Sequence, residues 1–286
     1  MPRTHQTAEN PAPRRYGWRP DTPDLRDARF CAPRSAKAAP RALRNLPARW
    51  PGVDDQGELG ACTGFGTEFL WRVAQLGQGE APPTGSRLFI YWNEREREKT
   101  LREDAGAEIR TGKKVLSKLG VPPEELWPYH PALFATKPPP QAFEAAATRQ
   151  VLRYARVPQT LACFKSTLLA GRPIVFGFTV YTSFESDEVT RTGLAPVPKR
   201  RERSLGGHCV VMVGWDDDVF CPGAEEPGAV LVRNSYGPDF GIRATPEEPY
   251  LAGHFWLPYQ IVTDANAADD FWAVFQVEDE DAPAIG

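Results

Sequence analysis

Apolar residues follow two different rhythms along the chain. Between Cys62 and Leu76, Phe65, Phe69, Leu70, Val73 and Leu76 recur at helical spacing. Ser86–Lys99 and Glu108–Leu119 carry the same period, the second closed by Gly120 and Pro122. Gln141–Ala147 and Gln159–Ala170 are shorter helix candidates. Beyond residue 172 the helical period disappears. Ile174–Tyr181, His208–Trp215, Ala229–Asn234, His254–Leu257 and Phe271–Val277 are β-rich runs separated by turn residues. A helical lobe over about 46–160 followed by a β-rich lobe over about 161–286 predicts an α+β fold. Thr182–Gly206, with its basic Lys199–Arg203 end, reads as a long exposed loop. Upstream of Leu46 there is little periodicity, and residues 1–45 form an extended leader rich in Pro and Arg. Tyr16, Trp18 and Phe30 within it are more aromatic than a solvated tail requires, so this part of the leader is expected to pack on the body.

Composition narrows the class. The 286 residues are 41% hydrophobic and 25% charged, which is ordinary for a globular protein. Pro is abundant at 29, favouring loops over long helices. No run of apolar residues is long enough to span a membrane. The first thirty residues lack the apolar segment of a signal peptide, so the expected location is cytoplasmic, or outside the cell by a signal not visible here. The net charge of −3 conceals an asymmetry. Residues 1–50 hold eleven basic and four acidic side chains, +7, which leaves −10 for the remainder. A basic arm on an acidic body can dock on itself or bind nucleic acid; the acidic body makes nucleic acid the less favoured partner. Five cysteines, an odd and sparse set, do not suggest a disulfide framework. No metal-binding spacing occurs, and neither metal nor cofactor is expected.

The sharpest local string is Asp55-Gln56-Gly57-Glu58-Leu59-Gly60-Ala61-Cys62-Thr63-Gly64-Phe65. It sets Cys62 among small residues at the start of a helix, where the dipole favours a thiolate. A lone cysteine is more often a buried structural residue. A thiolate nucleophile needs a base, and of the four histidines His208 is the best placed. Gly206 and Gly207 open space before it, and a buried strand follows. Asn234, in Asn234-Ser235-Tyr236-Gly237, ends the next strand and can accept from the imidazole. Taken singly, that string is also an ordinary turn.

Together these residues resemble the papain-like cysteine peptidases, over about Leu46 to Val277. The resemblance implies a two-lobe fold, one lobe helical and one antiparallel and barrel-like, with the active site in the cleft between them. It implies Cys62 as nucleophile, His208 as base, Asn234 as orienter and Gln56 as oxyanion donor. Asp104-Ala105-Gly106 resembles the glycine-bearing cleft wall, and Trp127-Pro128-Tyr129 a Tyr-Pro-Tyr stretch of the family. There are departures. Leu59 stands where many members have a disulfide cysteine, Thr63 replaces a Trp, and Tyr236 and Phe240 replace two shielding tryptophans. Cys62 and His208 lie 146 residues apart, and Asn234 follows at 172, which points to an insertion near Asp216–Gly228.

The implied activity is peptide-bond hydrolysis of extended polypeptide substrates. Gly106, Gly177, Gly207 and Tyr236 are expected to line the substrate cleft, and no cofactor is implied. Family zymogens carry a longer pro-domain; here residues 1–45 are expected to lie over the cleft and restrain residues 46–286. The alternative is a catalytically silent papain-like binding protein. Cys209 reads as core. Cys31 is a spare thiol within conceivable reach of Cys62.

Overall fold

The computed structural model describes residues 14–31 and 39–278. Residues 1–13 and 32–38 of the leader, and the acidic end from Asp279, lie outside them. The helices are α1 (Cys62–Gln78), α2 (Arg87–Arg97), α3 (Ile109–Lys118), α4 (Pro140–Ala146), α5 (Leu161–Leu169), α6 (Asp187–Thr192) and α7 (Tyr259–Thr263). The strands are β1 (Trp18–Arg19), β2 (Ala42–Leu43), β3 (Ala107–Glu108), β4 (Val151–Arg156), β5 (Ile174–Tyr181), β6 (Ser204–Asp216), β7 (Ala229–Arg233), β8 (His254–Pro258) and β9 (Ala268–Val277).

Six strands form the order β4-β9-β5-β6-β7-β8, with β2 added against β6. All of these pairs are antiparallel. The fold is α+β as expected, but the sheet is an open path rather than a closed barrel. Val151–Arg156, placed with the helical half by its position in sequence, is the outer strand of this sheet. Its exposed Leu152 and two arginines hid the strand period.

The continuous apolar runs of the second half follow from burial of both sheet faces. Along β6, Cys209, Val211 and Val213 enter the core shared with α1, while Val210 and Met212 enter a second core on the opposite face. Along β5, Val175 joins the first core and Ile174, Phe176, Phe178 and Val180 the second. The expected exposed loop at Thr182–Gly206 is instead structured at its start. A short 3-10 turn and α6 bury Phe184 and Val189, and Ala195 follows them into the core. Its basic end is exposed, as expected.

Caps explain the helix starts. Ser86 accepts from Phe89 N–H to begin α2, and Thr160 accepts from Cys163 N–H to begin α5. No side chain caps α1, which starts at Cys62 itself. Its free N–H groups and positive dipole end are therefore directed at the thiol.

The cysteine reading needs correction. Cys31 and Cys163 form a disulfide between the leader and α5. Cys62, Cys209 and Cys221 are free, so Cys31 is committed away from Cys62. The sparse set contains one staple, not a framework.

Candidate active site

Helix α1 and strands β5, β6 and β7 bring the chemistry together. Cys62 and His208 are fully buried. Cys62 Sγ accepts from the backbone N–H of Cys209, 3.4 Å away on β6. His208 Nε2 is bonded to Asn234 Oδ1 at 2.8 Å, and His208 Nδ1 has no hydrogen-bond partner among the described residues. Tyr236 stacks on the imidazole, with centroids 4.8 Å apart and planes 19° apart, and Phe240 meets Tyr236 edge-on. Tyr236 thus covers the His208–Asn234 pair, and the Arg14 guanidinium of the leader lies 3.7 Å from its ring centroid.

Gln56 is pinned from three sides. Its Nε2 donates to Leu59 O at 2.8 Å, its Oε1 accepts from Ser235 Oγ at 2.5 Å, and its backbone O accepts from Tyr129 OH at 2.8 Å. Ser235, adjacent to Asn234, therefore orients the amide through which Gln56 would act. Gly60 N–H donates to the Asp104 carboxylate, which ties the cysteine loop to the wall that contains Gly106.

The leader occupies the groove between these elements. Gly17 O accepts from Ala107 N–H, and β1 runs parallel to β3. Tyr16 approaches His208 edge-on at 5.9 Å and its hydroxyl donates to Glu185. The Trp18 indole lies on Gly177 and Gly207, where a Cβ at either position would strike the ring. Gly106 likewise faces the Gly17 backbone. All three predicted cleft glycines therefore touch the leader. Phe30 packs on Phe275 at 4.4 Å, and the Cys31–Cys163 disulfide follows it.

The charges holding the leader run partly against the simple asymmetry. Arg19 pairs with Glu98, and Arg15 lies 3.6 Å from Asp104, as a basic arm should. The more buried pairs are reversed: leader acids on body arginines. Asp21 and Asp27 bind Arg156, each at 2.8 Å, and Asp27 also binds Arg110.

Covering the site changes its electrostatics. Burial pushes the Cys62 thiol up to about 11, against the backbone N–H groups of Cys209, Gly17 and Thr63. Burial likewise pulls His208 down to about 4, opposed by its bond to Asn234 and assisted by the charge of Arg14. In this covered arrangement Cys62 is a neutral thiol and His208 a neutral imidazole at neutral pH.

A viral relative, an uncharacterized peptidase C1-like protein of Acanthamoeba polyphaga mimivirus, is 39% identical over 234 residues, spanning 79% of this chain and 70% of the relative. Xylellain, a cysteine protease from Xylella fastidiosa, superposes with a TM-score of 0.80 at 33% identity, covering 91% of this chain and 95% of the other. The chain belongs to the papain-like C1 cysteine peptidases. Procathepsin B from Trypanosoma congolense shares the fold alone, with a TM-score of 0.65 at 15% identity over 91% of this chain and 85% of that one. No family model matches.

Some residues that shape this papain-like site were not singled out from sequence. Asp270, fully buried, receives the Trp18 indole N–H. An acid pair abutting the apolar run Phe271–Val277 was the available signal, masked by the general acidity of Asp264–Asp281. Ser235 looked like part of a turn, and Arg156 and Arg110 carried no local signal that marks them as partners of Asp21 and Asp27. No helix among the described residues is long and apolar enough to cross a membrane.

Proposed function

We propose that this cysteine peptidase is an endopeptidase that works through Cys62, His208 and Asn234 and is held latent by its own leader. The observation that carries the reading is the leader backbone at Gly17 passing over a buried Cys62, with His208–Asn234 alongside. Once the leader moves out, water returns, both buried pKa values relax towards their usual ranges, and the dipole of α1 favours the thiolate. Cys62 Sγ attacks the scissile carbonyl carbon. The resulting oxyanion is met by the Gln56 amide and the Cys62 N–H. His208, now imidazolium, gives its proton to the leaving amine as the C–N bond breaks, leaving a thioester. It then takes a proton from water, which attacks the thioester and frees the carboxylate product and the thiolate. Asn234 holds the ring, and Tyr236 screens that bond from water.

The test is turnover of a fluorogenic peptide library and labelling of Cys62 by an epoxide thiol reagent, in wild type and Cys62→Ala, with the leader intact or removed before about Ala42. The expected result is turnover and labelling that depend on Cys62 and rise when the leader is removed. Equal rates with and without the leader defeat latency. No labelling in reducing buffer, with or without the leader, favours a silent binding protein.

A further inference from the structure

The pocket under Trp18 indicates which side chain the cleft selects, if the cleft is read as that of a peptidase. Its walls are the flat backbones of Gly177 on β5 and Gly207 on β6, and the indole lies on both. Asp270, at the start of β9 with φ of 61°, lies where the indole N–H points. Its carboxylate is fully buried and its two oxygens are used differently. Oδ1 accepts from Arg156 Nη2 at 2.9 Å, a bond within the body. Oδ2 accepts from Trp18 Nε1 at 3.1 Å and from Asp21 N–H at 2.7 Å, both donors belonging to the leader.

Displacing the leader therefore leaves Oδ1 paired and removes both donors from Oδ2. A buried carboxylate oxygen without a donor is costly, and a side chain that cannot supply one bears that cost when it enters. The shape of the pocket asks for a flat side chain, because the glycine walls leave a slot. Its chemistry asks for an N–H at the far end. An incoming cation would meet Arg156, which already sits on Asp270 and loses its leader partners Asp21 and Asp27 when the pocket opens. A neutral donor meets no such repulsion. We propose that Asp270 is a specificity-determining residue and that the enzyme selects polypeptides presenting tryptophan to this pocket, the leader's Trp18 being an internal copy of that side chain.

The experiment uses the full chain with Trp18→Ala, which vacates the pocket and leaves the body unchanged. It is assayed on fluorogenic peptides in which every position flanking the cleaved bond is varied. One position should favour Trp over Phe, Tyr and Leu by at least about tenfold in kcat/KM, the discrimination typical of a donor that satisfies a charged, buried acceptor. Adding Asp270→Gly, which suits the positive φ, should reduce the Trp-to-Phe ratio to near one. Epoxide titration of Cys62 counts competent molecules, so the ratio is read only from folded enzyme. Turnover with no Trp preference at any position, or with a preference for Arg or Lys, overturns the assignment while leaving the peptidase reading intact. No turnover of any peptide together with no labelling of Cys62 overturns both.

Discussion

Replacing Trp18 by Ala in the full chain should loosen the leader more than any other single truncation within it. The side chain is 7% exposed and packs in the core shared with Cys62. In the displaced leader the same side chain meets water, so truncation removes burial that exists only in the docked state. Trp→Ala at a buried site costs about 3–5 kcal/mol. The lower end is appropriate, because the vacated pocket is floored by Asp270 and fills with water rather than remaining as a void. About 3 kcal/mol shifts the docking equilibrium roughly 150-fold towards the open form. The assay is the rate of Cys62 alkylation by an epoxide at fixed pH, since only the open form presents a thiol that can ionise readily. The rate should rise by that factor, or to a plateau once most molecules are open. Trp18→Phe should give a smaller rise, because it keeps the ring and loses only the N–H to Asp270. A rate within twofold of wild type for Trp18→Ala would refute the idea that this contact governs access to Cys62.

Three further outcomes follow from other contacts. Docking pushes Asp21 up to about 7, through burial first and then the charge of Asp270. A pKa raised on docking means the docked state binds a proton, so the hold is strongest in acid and is lost as pH rises from about 4 to 7, by up to about tenfold per unit; Asp21→Asn should remove that part of the pH profile of labelling, and an unchanged profile would count against it. Gln56→Ala in the Trp18→Ala background should lower kcat about 100-fold or more with a smaller change in KM, as for loss of one oxyanion donor, and a pure KM effect would assign Gln56 to binding instead. Cys31→Ser opens a loop spanning 132 residues and should lower stability by about 2–4 kcal/mol, read as a fall in denaturation midpoint in non-reducing buffer, with no change if the staple is unformed in solution.

The helices and the central strands were legible because each carries an unbroken period: α1 through Phe65, Phe69 and Val73, β5 and β6 through runs buried on both faces. Cys62, His208 and Asn234, proposed as nucleophile, base and orienter, could be picked out because each sits in a short string whose small residues and strand ends suit that chemistry. What escaped depended on distant partners. β4 alternates poorly because Arg153 and Arg156 lie on it, and the partners of Arg156, among them Asp21, Asp27, Asp269 and Asp270, are remote in sequence. Cys31 could not be matched with Cys163 from spacing, since a pairing across 132 residues is decided by the path of the leader. Net charge suggested that the leader docks, yet misidentified the buried contacts, where leader acids meet body arginines.

The disulfide also makes the leader a two-key lock against cuts beyond Cys31. With Cys31 bonded to Cys163, a single cut on the C-terminal side of Cys31 separates the polypeptide without freeing the covering segment, which stays covalently attached at high effective concentration. Reduction without a cut leaves the segment tethered through its own peptide chain. After a cut on the C-terminal side of Cys31, departure of the covering segment also requires reduction of Cys31–Cys163, so release by that route would report the coincidence of proteolysis and a reducing environment, whereas a cut between Arg19 and Cys31 would free the segment in one step.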